Sequence, residues 1–200
     1  MITGFSSYGG MPAQQHIDAY NTFYKFLSDT KPSRILEIGT AHGGFILFLR
    51  QALNSLDLAA TQVVTIDIVE KPQYETLREE KIKVRNINLF NSDYTKLCET
   101  ALVAEYIQQD GVTIVLCDGG NKRVEFNELA PLIKEGDFIM AHDYCTTSDD
   151  FEKNYRNKIW DWCEIEEIDI SDVSNKENLV DYNKEQFNKV VWVCKRKLKF

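Results

Sequence analysis

The sequence predicts an α/β protein built on a doubly wound, mostly parallel sheet. Short apolar runs typical of buried strands alternate with helical patterns, and several of these runs end on an acidic residue. One run also passes through a glycine turn directly into a helix. The chain has 200 residues, of which 44% are hydrophobic, so we expect a single domain over residues 1–200.

The chain begins with residues 1–11, which are rich in glycine and serine and predict an irregular lead-in. Apolar side chains then recur at spacings of three and four, which predicts a helix over about residues 12–28. A leading helix in a small α/β protein often lies across the ligand mouth. We therefore expect this helix to cover the ligand site.

A strand, a glycine turn and a helix follow one another in the next part of the chain. Residues 35–38 predict the strand and residues 45–53 the helix. Small residues in the turn allow backbone N–H groups to approach a ligand closely. The candidates for this contact are Gly39, Thr40, Ala41, Gly43 and Gly44.

Glu37 indicates which ligand the turn binds. Gly39, Ala41 and Gly44 have the spacing of a dinucleotide-binding turn with alanine in the middle. An acid two residues before the first glycine would repel a pyrophosphate but attract a cationic amine. S-adenosylmethionine has such an amine, so Glu37 favours this cofactor. An NAD-dependent oxidoreductase, which would share the glycine turn, is the alternative.

Two further strands supply candidates for the nucleoside part of the ligand. Residues 62–68 predict a strand whose end places Asp67 beside the turn, where it would accept hydrogen bonds from ribose hydroxyls. A short polar helix and a third strand follow. Asn88, Asn91 and Asp93 come after that strand and are candidates for the adenine edge; their residue types do not decide among them.

The next units bring charged side chains to the same edge of the sheet. The predicted elements are a helix at 94–109, a strand at 112–118, a helix at 124–132 and a strand at 138–144. Asp118 ends the first strand, and His142 and Asp143 end the second. Two carboxylates and an imidazole in one place are unfavourable unless a cation or a hydroxyl ligand lies among them.

This cluster is compatible with two chemical roles. Asp118, His142 and Asp143 could hold Mg²⁺, with the imidazole shifting the preference towards Mn²⁺, and such an ion would lower the pKa of a substrate hydroxyl. His142 or Lys122 could instead be the general base. In the alternative without chemistry, His142 is a hydrogen-bonded core residue and Asp143 a helix cap.

The C-terminal part predicts a helix capped by Ser148 that continues to residues 160–162. Strands follow at residues 163–168 and 190–194. The hydrophilic residues between them predict a loop that joins two neighbouring antiparallel strands.

Composition excludes several classes of partner. The net charge of −8 disfavours nucleic acid and anionic membranes, so a small molecule is the expected partner. The sequence shows no secretory leader and no window apolar enough to span a bilayer. Five cysteines without a CxxC pair predict free thiols in the reducing cytoplasm. Oligomeric state is left open, and a homo-oligomer is one alternative.

Together these residues resemble the class I S-adenosylmethionine-dependent methyltransferases. The matching pieces are residues 37–44, Asp67, residues 115–120 and residues 132–137. Residues 10–15 and 142–144 are similar to the branch that contains cephalosporin hydroxylase-like proteins and rhamnosyl or macrolide-sugar O-methyltransferases.

The resemblance implies a Rossmann-like sheet of seven strands with the last one antiparallel. It also implies methyl transfer to a hydroxyl, often with Mg²⁺ held by carboxylates that match Asp118 and Asp143. We therefore expect an O-methyltransferase for a small polyhydroxylated acceptor such as a sugar. A protein that binds S-adenosylmethionine without catalysis is a further alternative.

Overall fold

The computed structural model describes residues 6–199 and contains a seven-stranded sheet with helices on both faces. The strands are β1 (Ser7–Tyr8), β2 (Met11–Pro12), β3 (Arg34–Ile38), β4 (Gln62–Asp67), β5 (Lys83–Asn86), β6 (Thr113–Cys117), β7 (Phe138–Ala141), β8 (Tyr144–Cys145), β9 (Ile165–Glu166), β10 (Leu179–Asp181) and β11 (Val193–Lys197). The helices are α1 (Ala19–Thr30), α2 (Gly44–Ser55), α3 (Tyr74–Glu79), α4 (Thr100–Ile107), α5 (Lys122–Leu129), α6 (Ser148–Asn154), α7 (Glu167–Lys176) and α8 (Lys184–Asn188). Within this part of the chain, no helix has the length and apolar character needed to cross a bilayer.

The large sheet has the strand order β5-β4-β3-β6-β7-β11-β10. The strands from β5 to β7 are parallel, whereas β11 runs antiparallel to both of its neighbours. This confirms the predicted doubly wound, Rossmann-like sheet with an antiparallel last strand. Because the direction of winding reverses at β3, a crevice is expected at the carboxyl ends of β3 and β6.

Apolar side chains cover both faces of the sheet. On one face, Phe23 of α1 packs against Phe45 of α2 and against Trp192, with ring centroids 5.0 and 5.1 Å apart. On the other face, Phe126 of α5 and Ile170 of α7 are fully buried in a second core. These two cores fix the sheet and leave its carboxyl edge to polar side chains.

The N-terminal helix begins later than the apolar pattern predicts. It covers Ala19–Thr30. The residues before it include the β1–β2 hairpin. Residues 1–5 of the predicted lead-in lie outside the described part of the chain. Gln14 has a left-handed φ of 52°, which is incompatible with a helix at that point. Ile17 belongs to the apolar stripe but is 53% exposed. Residues 12–14, not a helix, line the crevice.

Helix α4 begins at Thr100 rather than at residue 94. The cause is a local side-chain interaction, because Asn91 Oδ1 accepts hydrogen bonds from the backbone N–H groups of Thr95 and Lys96 at 2.8 and 2.9 Å. Such bonds stabilise a turn in competition with a helix.

Helix α6 is also shorter than predicted and ends at Asn154. Its N-cap is Thr147, whose hydroxyl accepts a hydrogen bond from the N–H of Asp150, rather than Ser148. The helix does not reach Trp160, whose indole N–H donates to Asp143 Oδ1 at 2.6 Å.

The hydrophilic residues 169–188 do not form the predicted loop, because they include most of α7 together with β10 and α8. A capping box at Glu166 begins α7, and buried Ile170 and Phe187 anchor the two helices to the core. Consequently, β10 rather than the predicted strand at 163–168 pairs with β11. Because few positions in this polar stretch are apolar and buried, the sequence pattern does not predict its helices and strand.

The prediction of five free thiols is wrong for one pair of cysteines. Cys145 and Cys163 form a disulfide that joins β8 to the residues before β9. Cys98, Cys117 and Cys194 are free, and the last two are buried. The disulfide closes the segment that contains α6.

Loss of this disulfide is expected to destabilise the fold. Its cysteines are 18 positions apart. In the double variant Cys145→Ser/Cys163→Ser the free energy of unfolding should fall by about 3 kcal/mol, because the unfolded chain gains loop entropy. Denaturant titrations measure the change, with Cys98→Ser as the control. A wild-type midpoint that reductant leaves unchanged would contradict the disulfide.

Candidate active site

A cavity of about 400 Å³ opens at the carboxyl edge of the sheet. Every predicted site residue except Asn91 and Asp93 lines it. The lining residues are Glu37, Gly39, Thr40, Ala41, Gly43, Gly44, Asp67, Asn88, Asp118, Lys122, His142 and Asp143. Asp93 is exposed, accepts a hydrogen bond from the Thr95 hydroxyl at 2.9 Å and does not line the cavity, so its prediction as a cofactor ligand is not supported.

Gly39 determines how closely the strand ends approach one another. Its φ is 93°, and a Cβ built at this position would lie 2.3 Å from the backbone oxygen of Asp118. A side chain would therefore push β3 and β6 apart. With glycine, the N–H of Asp118 donates to the backbone oxygen of Ile38 at 2.9 Å, and both strand ends reach the cavity.

Glu37 is a buried acid in the cavity wall, with 2% of its surface exposed. Its Oε2 accepts a hydrogen bond from the hydroxyl of Thr65 at 2.5 Å, and that hydroxyl lies 2.6 Å from the hydroxyl of Thr40. Burial raises the pKa of Glu37 well above its usual range, although the bond from Thr65 opposes this shift. A cationic ligand group beside this carboxyl would stabilise its charged form.

Asp67 is held in a fixed orientation at the end of β4. Its Oδ2 accepts hydrogen bonds from the N–H of Ala41 at 2.9 Å and from the hydroxyl of Tyr74 at 3.2 Å. Its Oδ1 accepts a third from the N–H of Val69 at 3.0 Å. The carboxylate is thus joined to the glycine turn, and its remaining lone pairs can accept bonds from ligand hydroxyls.

His142 lies between two indole rings and beside an acid. Its Nδ1 is 3.1 Å from Asp118 Oδ1, and its ring centroid is 5.0 Å from those of Trp160 and Trp192. Burial opposes a charge on the imidazole, but Asp143 and Asp118 outweigh it and raise its pKa. Its Nε2 is buried and has no hydrogen-bond partner among the described residues.

Lys122 forms an ion-pair network with two acids. Its Nζ is 3.0 Å from Asp143 Oδ2 and 2.9 Å from Glu164 Oε2. Burial opposes the charge on the ammonium, but Asp118, Asp143 and Glu164 together raise its pKa above the usual range. The ammonium therefore stays protonated, and Lys122 is not suited to the predicted role of general base.

The predicted metal ligands do not fit a divalent ion in this arrangement. Residues 6–199 contain no group of three or more His, Cys, Asp or Glu side chains that could hold one. The ammonium of Lys122 lies beside Asp143, and the imidazole of His142 interacts with Asp118. The prediction of Asp118, His142 and Asp143 as a metal site is therefore not supported.

Two residues of this network were not predicted as site residues. Gln15 is fully buried; its Nε2 donates to Asp118 Oδ2 at 2.9 Å, and its Oε1 accepts from the indole N–H of Trp192 at 2.8 Å. Glu164 reaches the site because its backbone N–H donates to the oxygen of Asp143 at 2.8 Å. Both residues lie on irregular segments.

Glu125 supports the loop that follows β6. Its carboxyl is fully buried and accepts hydrogen bonds from the N–H groups of Gly119 and Asn121 at 3.0 and 3.1 Å and from the hydroxyl of Tyr94 at 3.0 Å. Burial raises the pKa of Glu125 to about 7, although the two backbone bonds act in the opposite direction. The loop that precedes Lys122 is therefore fixed by a buried acid.

Comparison with known proteins gives consistent matches. A protein-family model described as rhamnosyl O-methyltransferase/CmcI matches residues 3–197. An apo structure of CmcI is 13% identical, covers 98% of this chain and 77% of that chain, and has a TM-score of 0.65. A Mg-SAM structure of CmcI is 16% identical, covers 96% of this chain and 76% of that chain, and has a TM-score of 0.62. A methyltransferase from Geobacter sulfurreducens is 10% identical, covers 91% of this chain and 80% of that chain, and has a TM-score of 0.54. No curated protein sequence matches the chain.

The sheet order, the glycine turn and the family match define an S-adenosylmethionine-dependent methyltransferase. More narrowly, the chain belongs to the rhamnosyl O-methyltransferase/CmcI family, since the family model spans nearly all of it. This confirms the resemblance found in the sequence and sets aside the NAD-dependent alternative.

The buried Glu125 predicts a specific dependence of stability on pH. Its pKa of about 7 lies above that of an exposed glutamate, so its stabilising contribution is complete below the ordinary pKa and is lost as pH rises through 7. The free energy of unfolding of Glu125→Gln, relative to that of wild type, should therefore rise by up to about 3 kcal/mol from acidic to mildly alkaline pH. Urea titrations across this range measure the difference. Exposed Glu185→Gln is the control, and parallel curves for Glu125→Gln and wild type would contradict the prediction.

Proposed function

We propose that this protein transfers the methyl group of S-adenosylmethionine to a hydroxyl of a small polyhydroxylated acceptor such as a sugar. One observation supports this most strongly: Glu37, Asp67 and His142 line a single cavity. A buried acid suits the cofactor amine, a fixed acid suits ribose hydroxyls, and an imidazole suits an acceptor hydroxyl. The family description, which names rhamnosyl O-methyltransferase, agrees with a sugar acceptor.

The cofactor half of the cavity is assigned to the ends of β3, β4 and β5. Glu37 and the glycine turn would hold the methionine part, and Asp67 the ribose. Asn88 lines the cavity and is the remaining candidate for the adenine edge. Tyr94 also lines it and stacks on Phe90, with ring centroids 4.4 Å apart, so these rings offer an aromatic wall for the base.

The acceptor half is assigned to the ends of β6 and β7. His142 is the proposed general base, because its Nε2 lacks a partner among the described residues and its Nδ1 is held by Asp118. This pairing fixes the imidazole with its Nδ1 protonated. Asp118 thus positions His142, and an acceptor hydroxyl would supply the hydrogen bond that Nε2 lacks.

The proposed reaction is an in-line displacement. The acceptor oxygen forms a bond to the methyl carbon, the bond from that carbon to sulfur breaks, and the sulfur keeps the electron pair as S-adenosylhomocysteine forms. The hydroxyl proton passes to Nε2 of His142. Most of the acceleration in such a reaction comes from aligning the nucleophile with the methyl group.

The proposed reaction uses no divalent metal. The predicted Mg²⁺ or Mn²⁺ has a counterpart in the CmcI structure described as Mg-SAM. In this chain the ammonium of Lys122 lies against Asp143, so no step is assigned to a metal.

Asp67→Asn is expected to weaken binding of S-adenosylmethionine about 10- to 100-fold, because ribose hydroxyls lose a charged acceptor. Isothermal titration calorimetry measures the dissociation constant, and the thermal midpoint shows whether the variant is folded. Exposed Asp172→Asn is the matched control. Unchanged affinity in Asp67→Asn would remove the ribose assignment, and absence of binding in wild type would remove the cofactor from the proposal.

His142→Asn is expected to lower kcat about 10²- to 10⁴-fold while leaving S-adenosylmethionine affinity unchanged, because only proton transfer is lost. Methyl transfer from radiolabelled cofactor to a panel of rhamnosides and hexosides provides the measurement. His16→Gln, outside the cavity, is the control. Retained kcat in His142→Asn would exclude it as the base, and binding without turnover on any hydroxylated acceptor would favour the non-catalytic alternative.

A further inference from the structure

The ammonium of Lys122 is fully coordinated by oxygen atoms. Its Nζ lies 3.0 Å from the backbone oxygen of Gly119, 3.0 Å from Asp143 Oδ2 and 2.9 Å from Glu164 Oε2. An ammonium has three hydrogens, and each of them has an acceptor here. With 7% of the residue exposed, Lys122 is a fixed positive charge in the cavity wall.

The position of this charge is held from both sides. Glu164 accepts from the backbone N–H of Lys122 as well as from its Nζ, both at 2.9 Å. Lys122 is the first residue of α5, where the helix dipole disfavours a cation. Two carboxylates overcome this disadvantage, and they therefore localise the ammonium at one point.

The carboxylates that would bind a metal already have hydrogen-bond donors. Each of the four oxygens of Asp118 and Asp143 accepts from a side-chain N–H. The donors are Gln15 Nε2 (2.9 Å) and His142 Nδ1 (3.1 Å) for Asp118, and Trp160 Nε1 (2.6 Å) and Lys122 Nζ (3.0 Å) for Asp143. Metal coordination at both acids would require several of these bonds to break.

A divalent ion would also be repelled by the ammonium. Mg²⁺ needs oxygen ligands at about 2.0–2.1 Å in octahedral geometry. An ion bound to Asp143 at such a distance would lie close to Lys122 Nζ, which is 3.0 Å from the same carboxylate. Like charges at this separation in a buried site are strongly unfavourable.

We propose that Lys122 supplies the cation of this site in place of a divalent metal. It neutralises Asp143 and Glu164 and fixes the loop after β6, so it is a positioning residue for the acceptor half. The consequence for catalysis, methyl transfer without Mg²⁺ or Mn²⁺, rests on the proposed function. The chain would differ in this respect from CmcI, for which a Mg-SAM structure exists.

Mn²⁺ binding to the wild-type protein tests the proposal without any substrate. The electron paramagnetic resonance signal of free Mn²⁺ should not decrease when the full chain is added, because the ammonium of Lys122 occupies the cation position of this site. Saturable binding at one ion per chain that disappears in Asp143→Asn would overturn the proposal.

Lys122→Met gives the complementary measurement. Removal of the ammonium frees Asp143 Oδ2 and Glu164 Oε2, which both contact Nζ in the wild type, so the folded variant should gain Mn²⁺ binding that Lys122→Met/Asp143→Asn loses again. Lys134→Met is the matched control, because Lys134 pairs with the single acid Asp137 at 2.7 Å and does not line the cavity. A folded Lys122→Met without Mn²⁺ binding would contradict the proposed position of the cation; if this variant does not fold, the wild-type titration decides.

Calorimetry separates this proposal from the proposed function. S-adenosylmethionine should bind wild type equally in EDTA and in Mg²⁺. Failure to bind in both would reject the cofactor assignment and leave the Mn²⁺ result as the test of Lys122. Binding that requires Mg²⁺ would overturn the inference about Lys122 and leave the cofactor assignment intact.

Discussion

The site depends on the close approach of β3 and β6. The strands can meet at this point because Gly39 has no side chain, and any Cβ would overlap the backbone oxygen of Asp118. The contact brings Glu37 and Asp118 into the walls of one cavity. Burial raises the pKa of Glu37 and the bond from Thr65 lowers it, and the charge of Asp118 raises it further. One glycine therefore links the proposed amine site to the proposed acceptor site.

Charge balance at the sheet edge follows from this proximity. Asp118, Asp143 and Glu164 would repel one another if buried alone, but Lys122 and His142 lie among them. Every partner comes from the chain itself, which makes the network rigid before a ligand arrives. A preorganised arrangement of this kind is well suited to hold an acceptor in line with a methyl group.

The alternation of strands and helices was sufficient to predict the sheet and the residues at its strand ends. Asp67 and His142 fall at one edge because parallel strands finish side by side, which is a property of the backbone. Periodicity did not assign Gln15 and Glu164 to the site, since both reach it from irregular segments. The predicted helix boundaries were wrong where side chains such as Asn91 stabilise a turn, because an apolar pattern contains no information about such hydrogen bonds.

The disulfide between Cys145 and Cys163 gives the two halves of the cavity different freedom to change. The proposed cofactor walls belong to strands whose register is fixed by their neighbours. The wall with Trp160 belongs to a covalently closed segment that is anchored at its two ends. Substitutions and insertions between these anchors can reshape one wall while the strand register is preserved. The proposed acceptor wall can therefore change without altering the strands of the proposed cofactor site.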